Sequence, residues 1–216
     1  MKIKKPEPVI RFTYSYPYEE AMLTLVGEKL TQEHSETTMK KVKAAQAIWN
    51  AYERQILRLF EEMYKIEISE KCITTFISLV APNSFSRPLT ISLKHSMDIV
   101  KNEKSQRAFI YTVIHELAHY FSYTRGDTEF FNVLYDKVQK LDLLGEHGAN
   151  LHYLIQAVEF GIIGEVFGPR YANYSRDWTI DNWSDNEYGK SALLLKEHDV
   201  PLDKTCLEYI EKRLKE

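Results

Sequence analysis

The chain has 216 residues, of which 44% are hydrophobic and 27% are charged, and its formal net charge is −3 at pH 7. An apolar share of this size argues against disorder, and a nearly neutral chain offers no electrostatic basis for binding nucleic acid or an anionic membrane. No apolar run approaches the ~20 residues of a membrane helix, and Cys72 and Cys206 do not form the spacing pattern of a disulfide framework, so the predicted location is the cytoplasm.

The first half of the chain is predicted to contain both strands and helices. Residues 9–16 place apolar and polar side chains alternately, which is typical of a half-buried strand. Apolar residues recur at spacings of three and four over 37–64, which predicts one long amphipathic helix. Residues 72–80 and 89–94 are rich in β-branched side chains, and the turn-forming segment 81–88 between them predicts a β-hairpin.

The second half is predicted to be mainly helical. Helices are expected over 103–124, over about 145–164 and near the C-terminus. The segment 168–190 is rich in Gly, Asn, Asp, Tyr and Trp, which predicts an irregular loop. Trp178 and Trp183 are expected to hold this loop against the core, while a specificity pocket or a lid stays open as the alternative.

The helix predicted over 103–124 contains the segment IHELAHYFSY, in which His115 and His119 are four residues apart and Glu116 follows the first histidine. Residues four apart share one face of a helix. Two imidazoles on that face can bind one Zn²⁺ together, and the adjacent glutamate can hold the water that zinc polarises. The segment therefore indicates a catalytic zinc site.

The apolar side chains of this helix follow a different line from the histidines. The predicted core face consists of Ile110, Ile114, Leu117 and Phe121. A second line consists of Thr112, His115, His119 and Ser122. The alternative of two hydrogen-bonded histidines on a buried helix without a metal stays open, because so short a pattern also arises by chance.

The segment HELAH at 115–119 matches the HExxH signature and so resembles the zincin metallopeptidases. The metzincin branch continues with a glycine and a histidine at two positions where this chain has Ser122 and Arg125. The chain therefore does not resemble the metzincins. The gluzincin branch, whose third ligand is a glutamate on a later helix, is the branch that it resembles.

The segment EHGAN at 146–150 is similar to the start of that later helix in small gluzincins and ImmA/IrrE-like peptidases. The resemblance implies Glu146 as the third zinc ligand and Asn150 as a residue that supports a metal-bound histidine. A face of small residues would let this helix approach a neighbour closely, as the ligand requires; its members are Ala149, Asn150, Ala157, Gly161 and Gly164. A glutamate at a helix start can also stabilise the helix dipole without binding a metal.

Other carboxylates compete for the place of third ligand. Glu159 lies on the same predicted helix, in one polar stripe with His152 and Gln156. Glu129 and Asp127 lie in the turn predicted to follow the motif helix. After the first choice, the predicted ranking places Glu159 second and Glu129 third.

The resemblance implies an α+β, zincin-like fold, with a small mixed or antiparallel sheet packed on the HExxH helix and a mainly helical C-terminal part. The whole chain, 1–216, is expected to form one catalytic domain composed of 9–65, 66–125 and 126–216. By analogy with the zincin fold, the strand at 89–94 is a candidate platform for an extended peptide, which would add to a sheet edge by main-chain hydrogen bonds. The alternative of an ordinary core strand stays equally open.

The resemblance also implies a zinc-dependent metallopeptidase that holds one Zn²⁺ per chain and acts on a peptide or protein substrate. Glu116 is the expected general base. Zincins often stabilise the oxyanion with a tyrosine, histidine or arginine. Candidates for this role are Tyr171, Tyr174, Arg176, Tyr188, His198, His147 and His152. The alternative function is that of a zincin-fold regulatory or binding protein with a metal site and no general proteolytic activity.

Overall fold

The structure is a computed structural model that describes residues 10–25, 27–94, 99–100, 102–124, 129–145 and 147–215. This part of the chain contains four strands and nine helices, so the fold is mainly helical with a small mixed sheet. The predicted α+β class is confirmed in this coarse form. The chain divides into two compact units, residues 1–54 with 69–120 and residues 55–68 with 121–216.

The first unit contains the sheet, whose strand order is β1–β2–β4–β3. The strands are β1 at Ile10–Thr13, β2 at Ile73–Ser78, β3 at Phe85–Ser86 and β4 at Leu89–Ser92. β1 and β4 both pair with β2 in parallel, and β3 pairs with β4 antiparallel. The hairpin predicted between 72–80 and 89–94 is therefore wrong. The antiparallel partner of β4 lies inside the predicted loop 81–88, where Phe85 pairs with Thr90.

β4 is an internal strand, not the edge strand that the predicted peptide platform required. β2 lies on one side of it and β3 on the other. Beyond β3, the main-chain N–H of Ser92 donates to the hydroxyl of Ser84 at 2.9 Å, and the Ser92 hydroxyl donates to the carbonyl of Ala81 at 2.6 Å. A peptide that added to this strand would first have to displace these contacts.

The long helix predicted over 37–64 is divided into α2 at Gln32–Asn50 and α3 at Glu53–Tyr64, which follow α1 at Tyr16–Leu25. Glu53 begins α3 just after the break. Its Oε1 accepts hydrogen bonds from the indole N–H of Trp49 and from the main-chain N–H of Ile10, each at 2.8 Å. One carboxylate thus joins the end of α2 to β1.

α4 spans Glu103–Thr124, as predicted. Asn102 caps its first turn, because its Oδ1 accepts hydrogen bonds from the main-chain N–H groups of Lys104 and Ser105. The four residues of the predicted core face, Ile110, Ile114, Leu117 and Phe121, are each at most 1% exposed. The apolar face of the motif helix is therefore confirmed.

Five helices follow α4. They are α5 at Glu129–Leu141, α6 at His147–Phe167, α7 at Pro169–Trp183, α8 at Glu187–Glu197 and α9 at Cys206–Arg213. The loop predicted at 168–190 is wrong, because Pro169 begins α7 and Asn186 caps α8 with its side chain. In this segment the turn-forming residues mark helix ends. No helix of the described ranges is long and apolar enough to cross a membrane.

The small residues of α6 serve close packing within the second unit. A side chain at Gly164 would overlap with the carbonyl oxygen of Leu202, and one at Gly161 would press on the carbonyl oxygen of Asp203. The thiol of Cys206 donates to the carbonyl of Ala157 at 3.2 Å. The close approach predicted for this face of α6 is confirmed, and the neighbour is the chain that leads into α9.

His198 gives the second unit a pH-dependent contribution to stability. Its Nδ1 lies 3.1 Å from the hydroxyl of Tyr153. Burial raises the pKa of Tyr153, so the phenol stays protonated and donates to the imidazole. Burial, and secondly the charge of Arg213, lower the pKa of His198 below its usual 6.5. The folded protein therefore favours the neutral ring.

We expect the free energy of unfolding to fall more steeply from pH 7 to pH 5 in the parent protein than in His198→Gln. The unfolded chain binds a proton near pH 6.5, whereas the folded ring resists it, so stability present above that pH is lost as the pH falls through the folded pKa. Urea denaturation at a series of pH values measures the difference. Parallel pH profiles would contradict the assignment to His198.

Candidate metal centre

His115 and His119 lie one turn apart on α4. Their Nε2 atoms are 3.2 Å apart, and their ring planes are inclined by 69°. Zn–N bonds of about 2.0–2.1 Å in a tetrahedral site place two ligand nitrogens about 3.3 Å apart. The observed separation therefore matches that of two nitrogen ligands of one zinc ion. The same separation also suits a hydrogen bond between two neutral imidazoles of complementary tautomers, which would need no third ligand.

A third histidine, His152, lies on α6 and is 7% exposed. Its Nδ1 is 2.9 Å from the carbonyl oxygen of Gly148. Because a carbonyl can only accept, Nδ1 donates this hydrogen bond, and Nε2 is the nitrogen that can bind a metal. Within the described residues, His115, His119 and His152 form the one group of three potential ligands whose donor atoms all lie within 4.8 Å of one another.

Glu116 follows His115 on α4 and is 8% exposed. The structure thus places this carboxylate on the same helical turn as a histidine of the group and largely out of contact with bulk water. A general base has to lie close to the atom whose proton it takes. Glu116 is adjacent to His115 in the chain, and its catalytic role stays a prediction.

The surroundings of His152 are acidic on one side and aromatic on another. Glu187 Oε1 is 3.6 Å from His152 Nδ1, and the ring centroid of Tyr188 is 4.3 Å from that of His152. Tyr188 contacts Trp183, and Trp183 contacts Trp178, at centroid distances of 5.3 and 5.4 Å. Trp178 and Trp183 lie on α7 and are 44% and 43% exposed. The loop that they are expected to hold against the core is a helix, so that prediction is wrong.

The carboxylates predicted as third ligand are mostly outside the described part of the chain. This holds for Glu146, for Asp127 and for the side chain of Glu129. Glu159 is described, lies partly exposed on α6 and does not belong to the three-residue group. The sequence ranking of third ligands thus stays a prediction, and His152 enters it as a new candidate.

Asn150 is fully buried and is engaged by the turn before α6. Its Oδ1 accepts a hydrogen bond from the main-chain N–H of Leu144, and its Nδ2 donates to Asp142 Oδ1 at 3.1 Å. This turn includes positive φ angles at Asp142 and Gly145. Through these contacts Asn150 holds the turn before α6. Its support of a metal-bound histidine stays a prediction.

The oxyanion candidates occupy different surroundings. Tyr171 and Tyr174 are 40% and 57% exposed, and Arg176 donates to Asn173 Oδ1 at 2.9 Å. His198 is engaged with the Tyr153 hydroxyl, and the side chain of His147 lies outside the described residues. Tyr188 is the described tyrosine candidate whose ring contacts a histidine of the group.

His152 is not among the third ligands that the sequence predicts. A signal was present, because His152 interrupts a run of apolar residues on α6 that are all at most 9% exposed, including Leu151, Tyr153, Leu154 and Ile155. A polar side chain in such a run requires a partner. Glu187 carried no comparable signal, because only folding brings it next to His152.

No family model matches the chain, and no curated protein or solved structure matches it either. The function of the chain is therefore inferred from the side chains of the candidate metal centre.

Proposed function

We propose that the chain is a zinc-dependent peptide-bond hydrolase of zincin-like architecture, in which His115, His119 and His152 bind one Zn²⁺. The observation that carries the proposal is the 3.2 Å separation of the Nε2 atoms of His115 and His119 within an HExxH segment. His152 adds a third nitrogen of the kind that zinc prefers. Three protein ligands leave one position for water or substrate, as a catalytic zinc site requires.

Bound zinc would supply a Lewis acid that polarises the scissile carbonyl and lowers the pKa of water toward ~7. Glu116 would take a proton from the attacking water and pass it to the leaving amine. One C–O bond forms and the C–N bond breaks, so the products are a carboxylate and an amine. Tyr188, in ring contact with His152, is the candidate donor to the oxyanion.

We expect protein purified without chelators to contain about one zinc per chain and to cleave members of a mixed peptide library. Removal of the metal with a chelator should abolish cleavage, and added zinc should restore it, because the proposed reaction requires the bound metal to polarise the scissile carbonyl. Elemental analysis and mass spectrometry of the peptide products measure the two results.

A matched pair of variants identifies the site. His115→Ala should lose the zinc, whereas His34→Gln should keep it, because His34 lies on α2 and binds Glu19. Protein that holds no zinc and cleaves no peptide would contradict the proposal. Equal zinc content in the two variants would contradict the location of the site.

A further inference from the structure

Gly148 leaves room for a carboxylate beside His152. A Cβ atom at this position would overlap with Oε2 of Glu187, the first residue of α8. The absence of a side chain at 148 therefore lets the Glu187 carboxylate approach the first turn of α6. The same approach places Glu187 Oε1 3.6 Å from His152 Nδ1.

Gly148 also selects the tautomer of His152. Its carbonyl oxygen accepts the hydrogen bond from His152 Nδ1 at 2.9 Å. One glycine thus holds the ring through its carbonyl and, through its missing side chain, admits a negative charge next to the same nitrogen. The two effects act together on the nitrogen opposite to the one that would bind zinc.

The main chain around Glu187 is held in place against α6. The hydroxyl of Ser191 lies 2.8 Å from the carbonyl oxygen of Ala149 and 2.6 Å from that of Glu187. Asn186 caps α8 just before Glu187, and the ring of Tyr188 just after it packs on His152. The position of the main chain at residue 187 is therefore set by contacts on both sides of it in the chain.

We propose that Glu187 is a positioning residue for the metal centre, acting through His152. A histidine that binds a cation through Nε2 gains positive charge on its Nδ1–H, and a carboxylate beside that group stabilises the charge and makes the ring a better ligand. The inference rests on the proposed function, because it requires His152 to bind zinc. In this inference, the carboxylate of Glu187 strengthens zinc binding, and the missing side chain at Gly148 lets that carboxylate lie beside His152.

The test compares zinc dissociation constants, measured by competition with a chromophoric chelator. Glu187→Gln removes the charge and keeps the shape, and Gly148→Ala keeps the charge and displaces the carboxylate. Each should weaken zinc binding by about 10- to 100-fold. The double variant should bind zinc no more weakly than the single variant that loses more zinc affinity, because both changes remove the same interaction. Glu197→Gln, at the other end of α8, is the matched control and should bind as the parent does.

The outcomes separate this inference from the proposed function. A parent protein without measurable zinc binding would overturn both. A parent that binds zinc, together with an unchanged constant for Glu187→Gln, would overturn the role of Glu187 alone. A merely structural role would lower the urea midpoint of the metal-free protein and leave the zinc constant of the folded protein unchanged. If Gly148→Ala does not fold, Glu187→Gln decides by itself. If the losses of zinc affinity add up in the double variant, Gly148 does not act by placing the Glu187 carboxylate, and that part of the inference is overturned.

Discussion

His152→Ala is expected to weaken zinc binding by more than about 100-fold, which exceeds the usual loss on removal of a residue that only supports a ligand. His152 supplies one of three nitrogens in the proposed site. Its ring is held by a hydrogen bond to the carbonyl of Gly148, and alanine at this position removes both the ring and the nitrogen that would bind zinc. The measurement is a zinc titration of folded protein, with folding checked by circular dichroism.

The competing ligands provide the controls for this experiment. Glu159→Ala changes a partly exposed carboxylate on the same helix and should leave the zinc constant as it is in the parent. Glu146→Ala tests the ligand implied by the resemblance to gluzincins. Loss of zinc from Glu146→Ala with normal binding by His152→Ala would contradict the three-histidine site and favour the carboxylate as third ligand.

The sequence was most informative where the relevant spacing is local. The helical period alone predicts that His115 and His119 share a face of α4 and that Ile114 and Leu117 face the core, because residues three and four apart meet on a helix whatever the rest of the chain does. The place of His152 in the three-residue group follows from no local spacing, because it lies more than thirty positions from His119 in the chain. No periodicity within α6 reveals which neighbour His152 faces.

The errors in the predicted fold have the same cause. Alternation of side chains predicts that 72–80 and 89–94 are extended, but the direction of pairing depends on the path of the chain between them, where β3 takes the antiparallel position. The carboxylate of Glu53, at the start of α3, accepts a hydrogen bond from the main chain of Ile10, which lies 43 positions earlier in the chain. Such contacts join positions far apart in the chain, and the periodicity of the sequence does not predict them.

Glu116→Gln is expected to lower the rate of peptide cleavage by about 10²- to 10⁴-fold while zinc content stays at about one per chain. Glutamine keeps the size and the hydrogen-bonding oxygen of the side chain, but it cannot take a proton from water near neutral pH. Zinc content should not change, because Glu116 is not one of the three proposed ligands. The measurements are kcat and KM on the best library peptide, together with elemental analysis.

A matched control lies on the same helix. Glu103→Gln makes the same chemical change in the first turn of α4, where the carboxylate is largely exposed and pairs with Arg107, and it should leave kcat unchanged. Cleavage by Glu116→Gln at the parent rate would remove Glu116 from the mechanism. If the parent binds zinc and neither protein cleaves any peptide, the metal centre belongs to a regulatory or binding protein, because an intact site would then lack hydrolytic activity even with its general base in place.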